Sequence, residues 1–147
     1  MNPDFSDMLS AFTEERVEFM VVGAYALAVH GVPRATGDLD LWVRPTRANA
    51  SRVMAALKRF GAPLEQISEP DFEKPDVVFQ VGIAPRRIDL LTSIDGVSFD
   101  EAAPRCVKAK IGGLPIPVIG REDFVKNKRA VGRTKDLADI SSLEEQD

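Results

Sequence analysis

The run Asp38-Leu39-Asp40-Leu41-Trp42-Val43 alternates acidic and apolar residues over its first four positions, which is the period of a β-strand. Successive strand side chains point to opposite faces, so Asp38 and Asp40 share one face, and Leu39, Leu41 and Val43 share the other, directed at a core. A second strand, Arg87-Ile88-Asp89-Leu90-Leu91, repeats the arrangement, with Ile88 and Leu90 inward and Asp89 on the opposite side. Aspartate is depleted in strands. Three of them on one side of adjacent strands repel one another, and one or more takes up a proton unless a cation neutralises the set. Carboxylates are also the ligands that Mg²⁺ prefers, and Mg²⁺ commonly brings nucleotide phosphates with it. With Asp38 bridging two ions and Asp40 and Asp89 completing the set, the three would form a two-metal site. The competing reading is an exposed sheet face with its aspartates in water.

Outward from these strands, the pattern predicts alternating helices and strands. Phe5, Met8, Leu9 and Phe12 fall at helical spacing behind Pro3. Val17 to Val22 reads as a buried strand ended by Gly23. Ala24 to His30 reads as a short helix closed by Gly31 and Pro33. Thr46 caps a helix with an apolar face of Ala50, Val53, Met54 and Leu57, and Gly61 ends it. The segment 62–75, with three prolines, reads as a loop or a weak edge strand. Val77 to Val81 and Arg87 to Leu91 form a hairpin. Val107 to Ile111 and Ile116 to Ile119 form a second hairpin around Gly112-Gly113, its proline-rich arm expected at a sheet edge. Arg121 to Val131 and Thr134 to Glu145 are two helices broken at Gly132. The order gives an α+β fold, a mixed sheet with helices packed on it and two C-terminal helices, in one domain spanning 1–147.

Bulk properties fit this architecture. The chain has 147 residues, 44% hydrophobic and 29% charged, enough for a packed core. The apolar run Phe19 to Val29 has 11 residues, against about 20 for a membrane span. The N-terminus lacks the positive charge that opens a secretory signal. Together these point to a cytoplasmic protein with no membrane partner. A single cysteine, Cys106, gives no internal disulfide and reads as an inert thiol; a single histidine, His30, argues against zinc hydrolase chemistry and reads as structural. Net charge is −4, yet residues 105–135 hold nine basic side chains and two acids. That stretch either meets phosphates or forms solvated helix faces.

Gly23, between a buried strand and a helix, stands where a backbone approaches a phosphate. Val21-Val22-Gly23-Ala24, followed after thirteen residues by Asp38-Leu39-Asp40-Leu41, resembles the nucleotidyltransferase superfamily. In that family an apolar strand ends in Gly-Gly or Gly-Ser, an Asp-x-Asp pair follows on the next strand, and a third carboxylate comes from a later one, here Asp89. The stretch from Gly23 to Asp40 is similar to small bacterial nucleotidyltransferases related to abortive-infection and toxin–antitoxin systems. At their helical end these show a Lys, then Arg-x-Lys-Asp, then Asp; Lys128, Arg133, Lys135-Asp136 and Asp139 match. The resemblance spans residues 17 to about 143. The chain departs from the pattern at Ala24, followed by Tyr25, which offers a backbone N–H but no hydroxyl.

The resemblance implies a nucleotidyltransferase-type fold and a Mg²⁺-dependent enzyme that moves an NMP from an NTP, ATP among them, to a hydroxyl of a tRNA, a protein or a small molecule. Asp38, Asp40 and Asp89 would be metal-binding and catalytic. Gly23 and Ala24 would cradle phosphate, with Arg34, Lys128 and Lys135 as further nucleotide-binding candidates. Thr36 reads as structural, and Arg133 either joins the phosphate contacts or pairs with Asp136 or Asp139. Trp42, on the aspartate face, lines a base pocket or packs as a surface aromatic. The alternative is a catalytically weakened nucleotide-binding partner in a toxin–antitoxin-like pair, acting by protein contact. A third reading, an RNA-binding module on residues 105–135, suffers from aromatic poverty, since Phe124 is the one aromatic there.

Overall fold

The computed structural model describes residues 1–33 and 37–146. Helix α1 (Pro3–Glu14) starts where Asn2 accepts a hydrogen bond from the Phe5 N–H at 3.0 Å. Strand β1 (Phe19–Val22) leads directly into α2 (Gly23–Val29), and β2 (Asp38–Val43) precedes α3 (Arg47–Phe60). Thr46 caps α3 through the Asn49 N–H, and Gly61 closes it in the left-handed conformation at φ 91°, which a glycine adopts without steric cost. The hairpin β3 (Val78–Val81) and β4 (Arg87–Leu91) follows, then a short α4 (Phe99–Ala102). A second hairpin, β5 (Val107–Ile111) and β6 (Leu114–Val118), leads to α5 (Arg121–Val131) and α6 (Thr134–Glu144), broken at Gly132.

The six strands form one mixed sheet in the order β3-β4-β2-β1-β6-β5. β2 runs antiparallel to β1 and parallel to β4, with Asp38 opposite Arg87 and Asp40 opposite Asp89. The two faces are covered differently. Phe19, Val21, Leu41 and Val43 share a face by register, and Phe12 of α1 meets Phe19 edge-on at 5.1 Å. That apolar face is therefore closed by α1 and by α3, which packs on α1. The other face carries Met20, Val22, Trp42 and the aspartates. Trp42 is covered there by Phe99 of α4, edge-on at 5.1 Å, and is 1% exposed. Trp42 thus belongs to the core and lines no open base pocket: α4, whose start is marked by the capping box of Ser98 and Glu101, lies across it.

Of the two readings of segment 62–75 the loop holds: it contains no strand, forms a 3-10 turn over Glu69–Glu73, capped reciprocally by Ser68 and Asp71, and buries Phe72. One expectation is corrected. The proline-rich arm β6 is internal, and β5 is the edge. β1 meets β6 only at Val21 and Val118. The two strands part before Pro115 and Pro117, so on that side no ladder bond is lost to the missing N–H groups. The edge strand β5 exposes Lys108 and Lys110, which discourages pairing with another chain. His30 Nε2 donates to the Ile119 carbonyl at 2.7 Å, a structural role as expected. Among the described residues, no helix is long and apolar enough to cross a membrane.

Asn49 ties these layers together. It is fully buried, accepts from the Glu18 N–H at 2.7 Å, and donates to the carbonyls of Glu18 and Arg44 at 2.9 Å each. It thereby joins the first turn of α3 to the start of β1 and the end of β2. Asn49→Ala leaves three backbone groups without their partner and is expected to lower stability by about 3 kcal/mol. Urea denaturation followed by the fluorescence of the single tryptophan measures this; a loss below about 0.5 kcal/mol would show that water satisfies those groups equally well.

Candidate active site

The parallel register of β2 and β4 assembles the site. Side chains directly opposite one another on neighbouring strands share a face, so Asp40 stands beside Asp89, and Asp38 beside Arg87. Asp89 is buried, while Asp38 and Asp40 are half-buried. The guanidinium of Arg87 reaches both flanking carboxylates. Its Nη2 donates to Asp38 Oδ2 at 2.6 Å and to Asp89 Oδ2 at 3.2 Å, and its Nε lies 3.1 Å from Asp89 Oδ1. That last contact is not aligned as a hydrogen bond, and Asp89 Oδ1 is buried with no hydrogen-bond donor. Arg87 therefore neutralises the pair without fully satisfying it.

Asp40 forms no ion pair, among the described residues, of the kind that Arg87 makes with Asp38 and Asp89. Burial, followed by the charges of Asp89 and Asp38, pushes its pKa up to about 6, while Lys128 and Arg87 act in the opposite direction. Burial also raises the pKa of Asp89, against the pull of Arg87. Gly23, at φ 71°, is the reason Asp40 fits. A Cβ placed there would meet Asp40 Oδ2 at 2.1 Å. The strand-to-helix turn thus leaves its space to the carboxylate, and Ala24 follows half-buried in the first turn of α2.

From the far side comes α5. Lys128 is 14% exposed, lies over the Phe124 ring at 5.4 Å, and sits 3.5 Å from Asp136 Oδ1. Asp136 is fully buried and also takes three bonds from Arg133, two from the guanidinium at 2.7 and 3.2 Å and one from the backbone N–H at 3.2 Å. The Arg133 hydrogen bonds, aided by the Lys128 charge, hold its carboxyl down to about 2. Asp136 therefore fixes Lys128 in place, and Arg133 is its structural partner. Lys135 is exposed and is not among the charges acting on Asp40. Arg34 and Thr36 lie outside the described residues.

Neither a family model nor a curated protein matches the sequence. Solved structures do match the fold. A Thermotoga maritima protein assigned as a nucleotidyltransferase superposes with a TM-score of 0.64 at 13% identity, over 97% of this chain and 91% of that one. The lincosamide antibiotic adenylyltransferase LnuA, solved with lincomycin bound, gives 0.63 at 14% identity over 98% and 96%. ANT(2'')-Ia, an antibiotic-resistance factor, gives 0.62 at 19% over 97% and 82%. The fold is that of the nucleotidyltransferases.

On this fold Asp38, Asp40 and Asp89 lie together, next to the Gly23 turn and within electrostatic range of Lys128. Among the described residues no three His, Cys, Asp or Glu side chains are gathered so as to hold a metal ion as they stand. Arg87 is the residue that sequence reasoning passed over. Its signal was available: two positions before Asp89 on one strand, it shares the face of Asp89. A cavity of about 810 Å³ lies elsewhere, on the α5 surface carrying Arg105, Lys126 and Arg129. Those cations have acidic partners in Asp123, Glu101 and Glu144. The basic stretch 105–135 is thus largely spent on ion pairs, and with them the case for an RNA-binding module weakens.

The raised Asp40 pKa predicts an unusual pH profile. Between about pH 4, the unfolded value, and pH 6 the folded chain binds more protons than the unfolded one, so stability falls as pH rises through that window and then levels off. The expected loss from Asp40 is about 2–3 kcal/mol, a two-unit shift at about 1.4 kcal/mol each. Asp40→Asn is expected to remove this decline, in EDTA, in urea melts from pH 4 to 8. Parallel wild-type and variant curves would mean that Asp40 titrates normally.

Proposed function

We propose that the chain is a nucleotidyltransferase that moves an NMP from an NTP to a hydroxyl acceptor with release of pyrophosphate. The observation that carries the proposal is the convergence of Asp38, Asp40 and Asp89 on one sheet face, beside the Gly23 turn, in the fold that LnuA and ANT(2'')-Ia share. The donor set suits Mg²⁺: it is all carboxylate, and the buried Asp89 Oδ1 lacks a hydrogen-bond donor. Asp38, Asp40 and Asp89 would hold one or two such ions, which when bound supply charge for the phosphates and acidify an attacking hydroxyl.

The protein's own groups do the positioning. Gly23 and Ala24 offer backbone N–H groups to the phosphates. Lys128, held by Asp136, directs positive charge into the site at little cost in rotamer freedom. Asp89 would help take the proton of the acceptor hydroxyl. Phosphoryl transfer relies mainly on such positioning and charge neutralisation. Among neighbours of the same fold, the lincosamide antibiotic adenylyltransferase LnuA is solved with lincomycin bound and ANT(2'')-Ia in complex with adenylyl-2''-tobramycin. In this chain the acceptor class is a small molecule, a tRNA or a protein side chain bearing a hydroxyl.

A second reading has its own support. A nucleotide-binding partner protein of a toxin–antitoxin-like pair, acting by contact with its partner, fits a site in which Arg87 already bridges two of the carboxylates and the turn reads Ala24-Tyr25.

Calorimetric titration with each of the four ribonucleoside triphosphates, with and without Mg²⁺, tests the proposal. Wild type is expected to bind at least one of them in a Mg²⁺-dependent manner, and Asp38→Asn to weaken that binding by about 100-fold or more, as for a lost buried charge pair. Pyrophosphate release on adding acceptors separates the enzyme from the binding partner. Nucleotide binding with Mg²⁺ dependence absent would overturn the carboxylate site itself.

A further inference from the structure

Arg87 stands in the site as a cation supplied by the chain itself. Its position is specific: one guanidinium nitrogen bonds both Asp38 and Asp89, 2.6 and 3.2 Å away. The fit is incomplete. Nε approaches Asp89 Oδ1 at 3.1 Å without hydrogen-bond alignment, and both atoms are buried and without another hydrogen-bond partner. A planar guanidinium pairs best with one carboxylate edge-on. Here it is divided between two carboxylates on different strands, so neither receives the ideal fork. The side chain is 34% exposed and springs from the first residue of β4, so it has room to leave toward solvent without disturbing the core residues Ile88 and Leu90. An ion entering among these three carboxylates and Arg87 cannot both be close to Asp38 and Asp89, because like charges a few ångströms apart repel strongly in a partly dry site.

We propose that Arg87 is a two-position cation: it occupies the carboxylate site before a divalent ion is bound, yields Asp38 and Asp89 to that ion, and then serves as a ligand for the nucleotide phosphates. This rests on the carboxylates being a divalent-cation site. In the first position Arg87 keeps three neighbouring aspartates compatible with a folded sheet and makes the lone metal ion bind weakly. In the second its freed guanidinium, swung toward solvent, would meet phosphate oxygens and match them with paired N–H groups. Metal and nucleotide thereby assist one another, because each offers a place to a charge that the other displaces or attracts.

The two positions predict effects of opposite sign, which a merely structural role does not produce. Mn²⁺ binding to the full chain, read by electron paramagnetic resonance of the free ion, is expected to be about tenfold or more tighter in Arg87→Gln than in wild type, since one charge-assisted hydrogen-bonded partner no longer competes. At saturating Mn²⁺, affinity for a non-hydrolysable ATP analogue is expected to be about tenfold weaker in the same variant. Arg87→Lys keeps the charge but not the bridging geometry, and is expected to fall between the two in both measurements; it decides the matter alone if Arg87→Gln does not fold. Equal or weaker Mn²⁺ binding in the variants overturns the first position. Tighter Mn²⁺ with unchanged analogue affinity overturns the second. Mn²⁺ binding in wild type that Asp38→Asn abolishes shows that the carboxylate site holds even where the Arg87 inference fails. Absence of Mn²⁺ binding in wild type and both Arg87 variants overturns the metal reading and this inference together.

Discussion

The parallel pairing of β2 with β4 puts Asp40 directly beside Asp89, and the surrounding site is organised around the resulting repulsion. Two carboxylates at neighbouring positions of a sheet, with Asp38 close by, form an unfavourable arrangement in the absence of counter-charge. The chain meets it with three devices. Arg87 bridges two of the acids, Lys128 directs its charge at Asp40 from α5, and the Asp40 carboxyl is shifted toward its neutral form. Each is local and electrostatic, and each depends on a different element of the fold.

The second tier of the site is built to hold these devices still. Gly23 gives up its Cβ so that Asp40 can lie against the β1–α2 turn. Asp136, fully buried, takes Arg133 and Lys128 together, so that α5 and α6 are joined at the point where Lys128 faces the sheet. Removing Asp136 would release the lysine as well as leave two cations unpaired, so its influence on the site is indirect but large. On the opposite face the apolar register from Phe19 to Val43 adds core burial with no charged group in it, while Trp42 under Phe99 does the same at the far end of the acidic face.

Much of this was legible one residue at a time. The alternation at Asp38–Val43 and Arg87–Leu91 placed both strands to the residue, because a half-buried strand writes its period into the sequence. Thr46, Gly61 and Gly132 marked helix ends by backbone chemistry that does not depend on context. Where signals depend on what lies across the fold, the reading failed. Trp42 shares the aspartates' side of β2 and so read as open to that face, yet the short α4 covers it. Pro115 and Pro117 argued for an edge, yet β6 pairs with β1 only at Val118, past both prolines. The basic stretch 105–135 left phosphate contacts and solvated helix faces both open, and only the fold shows that its cations meet Asp123 inside the stretch and Glu101, Asp136 and Glu144 outside it.

By itself, the sequence determined the periods, the caps and the face on which each aspartate would lie, since these follow from backbone geometry within a few residues. Tertiary structure alone decided that β4 inserts next to β2 in parallel register, that Arg87 therefore stands opposite Asp38, and that the charge of Lys128 acts on Asp40 while that of Lys135 does not. The reason is physical: periodicity sets the direction of a side chain relative to its own strand or helix, whereas the identity of the charge opposite it depends on strand order and on helix placement, which no local pattern encodes.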